Sequence, residues 1–156
     1  MKVTCIQMGI QFAEPDANFA HAIQLMEQAM ADAPDVLVLP ENWNTAFFKH
    51  QDQLHLADQN GQRIKAKIGG LAKKYSVNIV AGSISDVRKG KCHNTAYVFD
   101  RQGNCIASYD KVHLFSPSGE APGRRAGAPP LWQLARSFPV TGPQPLSSLR
   151  RAGNLK

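Results

Sequence analysis

After Glu120 the chain has no acidic residue: residues 121–156 hold five Arg and one Lys, with neither Asp nor Glu. The net charge of +6 therefore belongs to this tail, because residues 1–120 balance twelve basic against twelve acidic side chains. A neutral body excludes a domain-wide basic footprint for nucleic acid, so no nucleic-acid partner is expected of it. A salt-dependent contact through the tail stays open as a lesser alternative. No apolar run approaches the length of a membrane span, and no membrane partner is expected. The start, Met1-Lys2-Val3-Thr4-Cys5-Ile6-Gln7, runs straight into a strand-like pattern without a signal-peptide core, which makes a cytoplasmic location the expectation. Cysteine is scarce: Cys5, Cys92 and Cys105 are an odd number without metal-ligand spacing. They indicate neither a disulfide frame nor a zinc site, and nothing else implies a metal or a cofactor.

What is present is a globular hydrophobic fraction of 43% arranged in alternating strand and helix patterns. Lys2 to Met8 reads as a first strand. Phe19, Ile23, Met26 and Met30 recur at helical spacing, with Asp16 as N-cap. Asp35-Val36-Leu37-Val38-Leu39 is an unbroken β-branched and leucine run, as expected of a strand covered on both faces. Residues 42–60 read as a loop with a short helix. Ile64, Ile68, Leu71 and Tyr75 mark a second amphipathic helix, in which Gly69 and Gly70 are expected to permit close packing on the sheet. Val77 to Ser83 is a third strand, Arg88 to Lys91 a turn, and His93–Asp100 with Asn104–Asp110 a hairpin around Arg101-Gln102-Gly103. The order β-α-β-α-β-β-β predicts an α/β fold.

Two segments carry chemistry. Pro40 cannot donate a ladder hydrogen bond, so the strand through Leu39 should stop there with Glu41 at its mouth. Flanked by Pro and Trp, that carboxylate is expected to be poorly solvated, which raises a carboxyl group's pKa and suits it to accept a proton. The alternative is a strand-end ion pair with no chemical role. The second segment, Tyr109-Asp110-Lys111-Val112-His113-Leu114-Phe115-Ser116-Pro117, also ends a strand with a basic residue and an apolar anchor. Leu39-Pro40-Glu41 followed some seventy residues later by Lys111-Val112-His113-Leu114-Phe115 resembles the nitrilase, or carbon–nitrogen hydrolase, superfamily. The resemblance covers residues 1–120. Leu39-Pro40-Glu41-Asn42-Trp43-Asn44-Thr45 together with Val80-Ala81-Gly82-Ser83 is most similar to the ω-amidase-like branch.

The resemblance implies the first half of a nitrilase-type α-β-β-α sandwich and a Glu-Lys-Cys hydrolysis of a small-molecule amide, in a family that forms homo-oligomers. Carried over residue by residue, Glu41 is the general base and Lys111 the oxyanion-stabilising lysine, while Glu120 is either the second glutamate that supports it or an exposed loop acid. The chemistry requires a base-assisted thiol and a fixed positive charge where the oxyanion develops. The family's cysteine lies a few tens of residues after the lysine, and here none follows Cys105, so the chain as written is expected to be inactive. Cys5 and Cys105 read as small buried hydrophobes. Cys92, between Lys91 and His93, has basic neighbours but sits where its strand begins, the wrong end for the site. His113 and Asn94-Thr95 read as structural. Trp43 and Phe47, just past a strand end, either line a substrate pocket or simply pack.

Residues 121–156 carry six Pro and four Gly, against four Pro in residues 1–120. Two regions are thus expected: a partial carbon–nitrogen hydrolase domain over 1–120, and over 121–156 an irregular basic Pro/Gly/Arg-rich tail of the kind that out-of-frame translation produces. The alternative to a truncated or frame-shifted amidase is a pseudoenzyme or dimerisation module.

Overall fold

The computed structural model describes residues 1–46 and 54–112. The tail, Glu120, His113 and Phe47 lie outside them.

A mixed sheet forms the body. In chain order its elements are β1 (Val3–Cys5), α1 (Pro15–Ala29), a 3₁₀ turn (Met30–Asp32), β2 (Val36–Val38), β3 (Asp58–Gln59), a second helix, β4 (Asn78–Arg88), β5 (Lys91–Phe99) and β6 (Cys105–Asp110). The second helix, α2, runs Gln62–Ile64, a five-residue π turn Lys65–Gly69, then Gly70–Tyr75. The spatial order is β1-β2-β4-β5-β6, with β3 added beside β4. β1, β2 and β4 are parallel, and β4-β5-β6 form an antiparallel meander. The expected α/β order is found, with β3 as an addition.

The crossovers β1-α1-β2 and β2-α2-β4 place both helices on one face of the sheet. Phe19, Ala22 and Met26 of α1 and Ile64, Ile68 and Leu71 of α2 join Leu37, Ile79, Ala81 and Phe99 of the strands in one buried cluster. Gly69 does provide the close approach: a Cβ there would lie 2.9 Å from the Gly103 carbonyl oxygen and 3.3 Å from the Phe99 ring. Gly70 does not, since nothing stands within 4 Å of its would-be Cβ.

Several boundaries differ from expectation. Asp16 is not the N-cap of α1. Glu14 holds that position with no side-chain capping bond, Pro15 opens the helix with its preset φ, and Asp16 in the first turn pairs with Arg63 at 2.6 Å. Cys5 and Cys105 are exposed rather than buried. β4 continues five residues past Ser83, through Ile84, Ser85, Asp86 and Val87, all buried. Ser85 and Asp86 are polar, yet both are buried because partners from other elements satisfy them. Asp86, for instance, accepts the Gly61 N–H at 2.8 Å and the Tyr97 hydroxyl at 2.9 Å. The turn at Lys89-Gly90 has positive φ at both residues, the geometry that matches strand twist in a two-residue hairpin.

Candidate active site

The parallel ladder ends at Leu39, whose N–H donates to Val80 at 2.9 Å, and Pro40 stops it as expected. Beyond it the chain turns over a bulge in β4. The β4–β5 register slips between Val80 and Ser83, and Gly82 takes φ +58 there. A Cβ on Gly82 would run into the Pro40 carbonyl oxygen and stand 2.6 Å from that of Leu39. The Glu41 segment therefore rests directly on glycine backbone.

Polar side chains then pin the turn. Asn42, at φ +50, accepts the Ser85 hydroxyl at 2.9 Å, and its backbone N–H donates to the Ser83 hydroxyl at 3.0 Å. Asn44 brackets the Ser85 peptide, accepting its N–H at 2.9 Å and donating to its carbonyl at 3.0 Å. Thr45 donates to the Ser85 hydroxyl at 2.9 Å, and Asn18 from α1 donates to the Asn44 carbonyl at 2.9 Å. Asn18, Asn44 and Thr45 are fully buried. Buried amides satisfied in this way specify one loop geometry, because any slip orphans several of them.

Glu41 and Lys111, seventy residues apart, meet at this mouth. The Lys111 ammonium donates to Glu41 Oε1 at 3.0 Å, and the Asn94 side-chain amide donates to the same oxygen at 3.0 Å. Lys111 directly follows β6, its N–H donating to the Asn94 carbonyl at 2.8 Å. On the opposite face Asp110 is held by Arg88 and by the Thr95 hydroxyl at 2.8 Å, so the strand end that projects Lys111 is fixed. The groove around the pair encloses about 370 Å³ and is lined by Leu39, Pro40, Val80, Gly82, Ser83, Ala96 and Tyr109 with Glu41, Asn94 and Lys111.

Three expectations need correction. The Glu41 side chain is 51% exposed among the described residues, so it is not the poorly solvated carboxylate expected. Trp43 is fully buried, donates its indole N–H to the Ala81 carbonyl at 2.8 Å and packs edge-on against Phe19. It belongs to the core and does not line the groove. Cys92 does not lie at the wrong end of the sheet. Antiparallel pairing sets it opposite Val87, so the start of β5 lies beside the end of β4. It is a poor nucleophile for another reason: burial, with Asp86 nearby, pushes its thiol up to about 11. None of the three cysteines lines the groove.

Asn94 and the Asn42–Asn44–Thr45–Ser85 network carry more of the site than their sequence suggested. Asn42, Asn44 and Thr45 entered the sequence reading only as part of the resemblance, and Asn94 only as structural.

A family model, carbon-nitrogen hydrolase, matches residues 2–143. The chain belongs to the carbon-nitrogen hydrolase family. The match continues past Glu120, where the composition changes. Among similar proteins are the "hydrolase in agr operon" of Staphylococcus aureus, 41% identical over 117 residues, and the 2-oxoglutaramate amidase of Bacillus subtilis, 37% identical over 114. These alignments cover 73% and 72% of this chain and 43% of each relative. The crystal structure of Saccharomyces cerevisiae Nit3, a member of branch 10 of the nitrilase superfamily, superposes with a TM-score of 0.67 at 27% identity. That match covers 80% of this chain and 49% of Nit3. The carbon-nitrogen hydrolase chain thus spans about half the length of the relatives it matches, or less.

Proposed function

We propose that this chain carries the base-and-lysine half of an amide-hydrolysing site of the ω-amidase kind, whose substrates are small dicarboxylic acid monoamides. The observation that carries this reading is the meeting of Glu41 and Lys111 at 3.0 Å on two strand ends bordering one groove. The name of the Bacillus subtilis relative, an amidase, agrees with it. In the reaction such a pair serves, a cysteine thiol attacks the amide carbon and gives its proton to the carboxylate. The ammonium then stands where the tetrahedral oxyanion develops, ammonia leaves, and water hydrolyses the thioester. Glu41 supplies the carboxylate and Lys111 the ammonium. Glu120 is assigned the supporting role, outside the described residues.

This chain contains no cysteine suited to the attack, so the 156 residues alone release no ammonia from such a monoamide. An ammonia assay tests this: no release above buffer is expected. Turnover that disappears in Glu41→Gln would reveal a working nucleophile and overturn the reading of inactivity.

A further inference from the structure

Among the described residues Asn94 grips both members of the pair: its side-chain amide donates to Glu41 Oε1, and its main-chain carbonyl accepts the Lys111 N–H. The orientation of its amide is forced by chemistry, since only the NH₂ half can face a carboxylate. That choice turns Oδ1 the other way, where it is buried with no hydrogen-bond partner among the described residues. An orphaned buried acceptor destabilises a fold, and an apolar side chain would avoid the penalty. Asn94 is therefore not explained by stability.

Glu41 explains it. Asn94 and Lys111 both donate to Oε1, while Oε2 carries no hydrogen bond among the described residues. The carboxylate is anchored through one oxygen and keeps the other for a proton. Building on the assignment of Glu41 and Lys111 to the site, we propose that Asn94 is the positioning residue that holds the base against the lysine. The flanking strands support it. Thr95 is buried and its hydroxyl takes a bond from Arg88 at 2.9 Å while donating to Asp110, which leaves the Asn94 backbone little freedom.

A zero-length carbodiimide cross-link reads this geometry without any turnover. The reagent activates the carboxylate, and an amine already in contact closes an isopeptide bond with net loss of water. Glu27 and Lys74, paired at 2.8 Å on the helices, form an internal reference. In the unaltered chain both cross-links are expected by mass spectrometry. In Asn94→Ala and in the space-filling Asn94→Leu, the Glu41–Lys111 yield relative to Glu27–Lys74 should fall about fivefold. Asn94→Leu should also melt no lower than the parent, since it removes an orphaned acceptor. A ratio unchanged in both variants would overturn the positioning role while leaving the pair itself intact. Absence of the Glu41–Lys111 product from the unaltered chain would overturn the site assignment as well.

Discussion

Replacing Gly82 by Ala should disable the site through the backbone, without touching a chemical group. Gly82 sits at φ +58 in the β4 bulge, and its missing Cβ is the space that the Pro40 carbonyl occupies. The left-handed conformation alone costs an alanine about 1–2 kcal/mol. The collision adds more, because both obstacles, the Pro40 and Leu39 carbonyl oxygens, are backbone that cannot swing away. To accept the methyl group the Leu39–Glu41 segment must lift from β4. The bonds spanning that seam are Leu39 N–H to Val80 at 2.9 Å, Ser83 N–H to Pro40 at 3.2 Å and the Trp43 indole to Ala81 at 2.8 Å. With about 1 kcal/mol net for each of the three bonds added to the conformational cost, the total reaches roughly 4–5 kcal/mol. Gly90→Ala is the matched control, since its φ is +71 but nothing stands within 4 Å of the would-be Cβ. It should cost only the conformational part, about 1–2 kcal/mol. Urea unfolding followed by Trp43 emission, in a Trp132→Phe background, measures both at equal protein concentration. If Gly82→Ala proves no worse than Gly90→Ala, the tight seam between β2 and the β4 bulge is not what holds Glu41 in place.

Cys92, with its thiol pushed up to about 11, should react slowly with iodoacetamide. At pH 8 its thiolate is roughly 200-fold scarcer than that of an unstructured cysteine, and the greater nucleophilicity of a more basic thiolate recovers only part of this, leaving roughly a 20-fold deficit. A rate equal to that of a free cysteine peptide would contradict its burial beside Asp86. The acid limb of stability should contain two opposed contributions. Burial raises Asp86, so between the ordinary carboxylate value and its folded value the folded chain binds more protons, and this group's contribution grows as pH falls through that window. Asp35 is lowered, first by the Lys2 backbone N–H, so its contribution is present above the ordinary range and is lost as pH falls through the lowered value. Melts between about pH 3 and 6 should show Asp35→Asn removing an acid-side loss and Asp86→Asn removing an acid-side gain; the same slope change from both would refute the assignment. Finally, reading the coding sequence from the Lys111 codon onward in all three frames should restore, in another frame, a strand ending in cysteine. If no frame does so, the basic tail is genuine.

The parts of the fold legible in sequence were those written by hydrophobic period. Phe19 and Met26, Ile64 and Ile68 each face the core that their spacing announced, and so does Leu37 at the centre of the β2 run. Pro40 as a strand stop and Gly103 in its turn were legible because each residue type leaves the backbone few choices. The far half of β4 was not. Ser85 and Asp86 carry no strand signal of their own and are buried only because Asn44, Thr45, Gly61 and Tyr97 arrive from distant elements to satisfy them. Period-based reading sees burial of apolar groups and is blind to burial of paired polar ones. The same blindness hid Asn94, whose role depends on Glu41, 53 residues away. Trp43 misled in the opposite sense: its place beside Glu41 in sequence suggested the groove, whereas its size and its bond to Ala81 set it in the core.

The most direct measurement is an NMR titration of the isotope-labelled chain with a small dicarboxylic acid monoamide, with ammonia followed in the same tube. Saturable shifts at Asn94 and Lys111 without ammonia release are expected of a site that holds its base and its lysine and lacks a nucleophile. Signals that stay unmoved as the monoamide is raised to tens of millimolar, about the weakest affinity worth calling a site, would contradict the assignment of this groove.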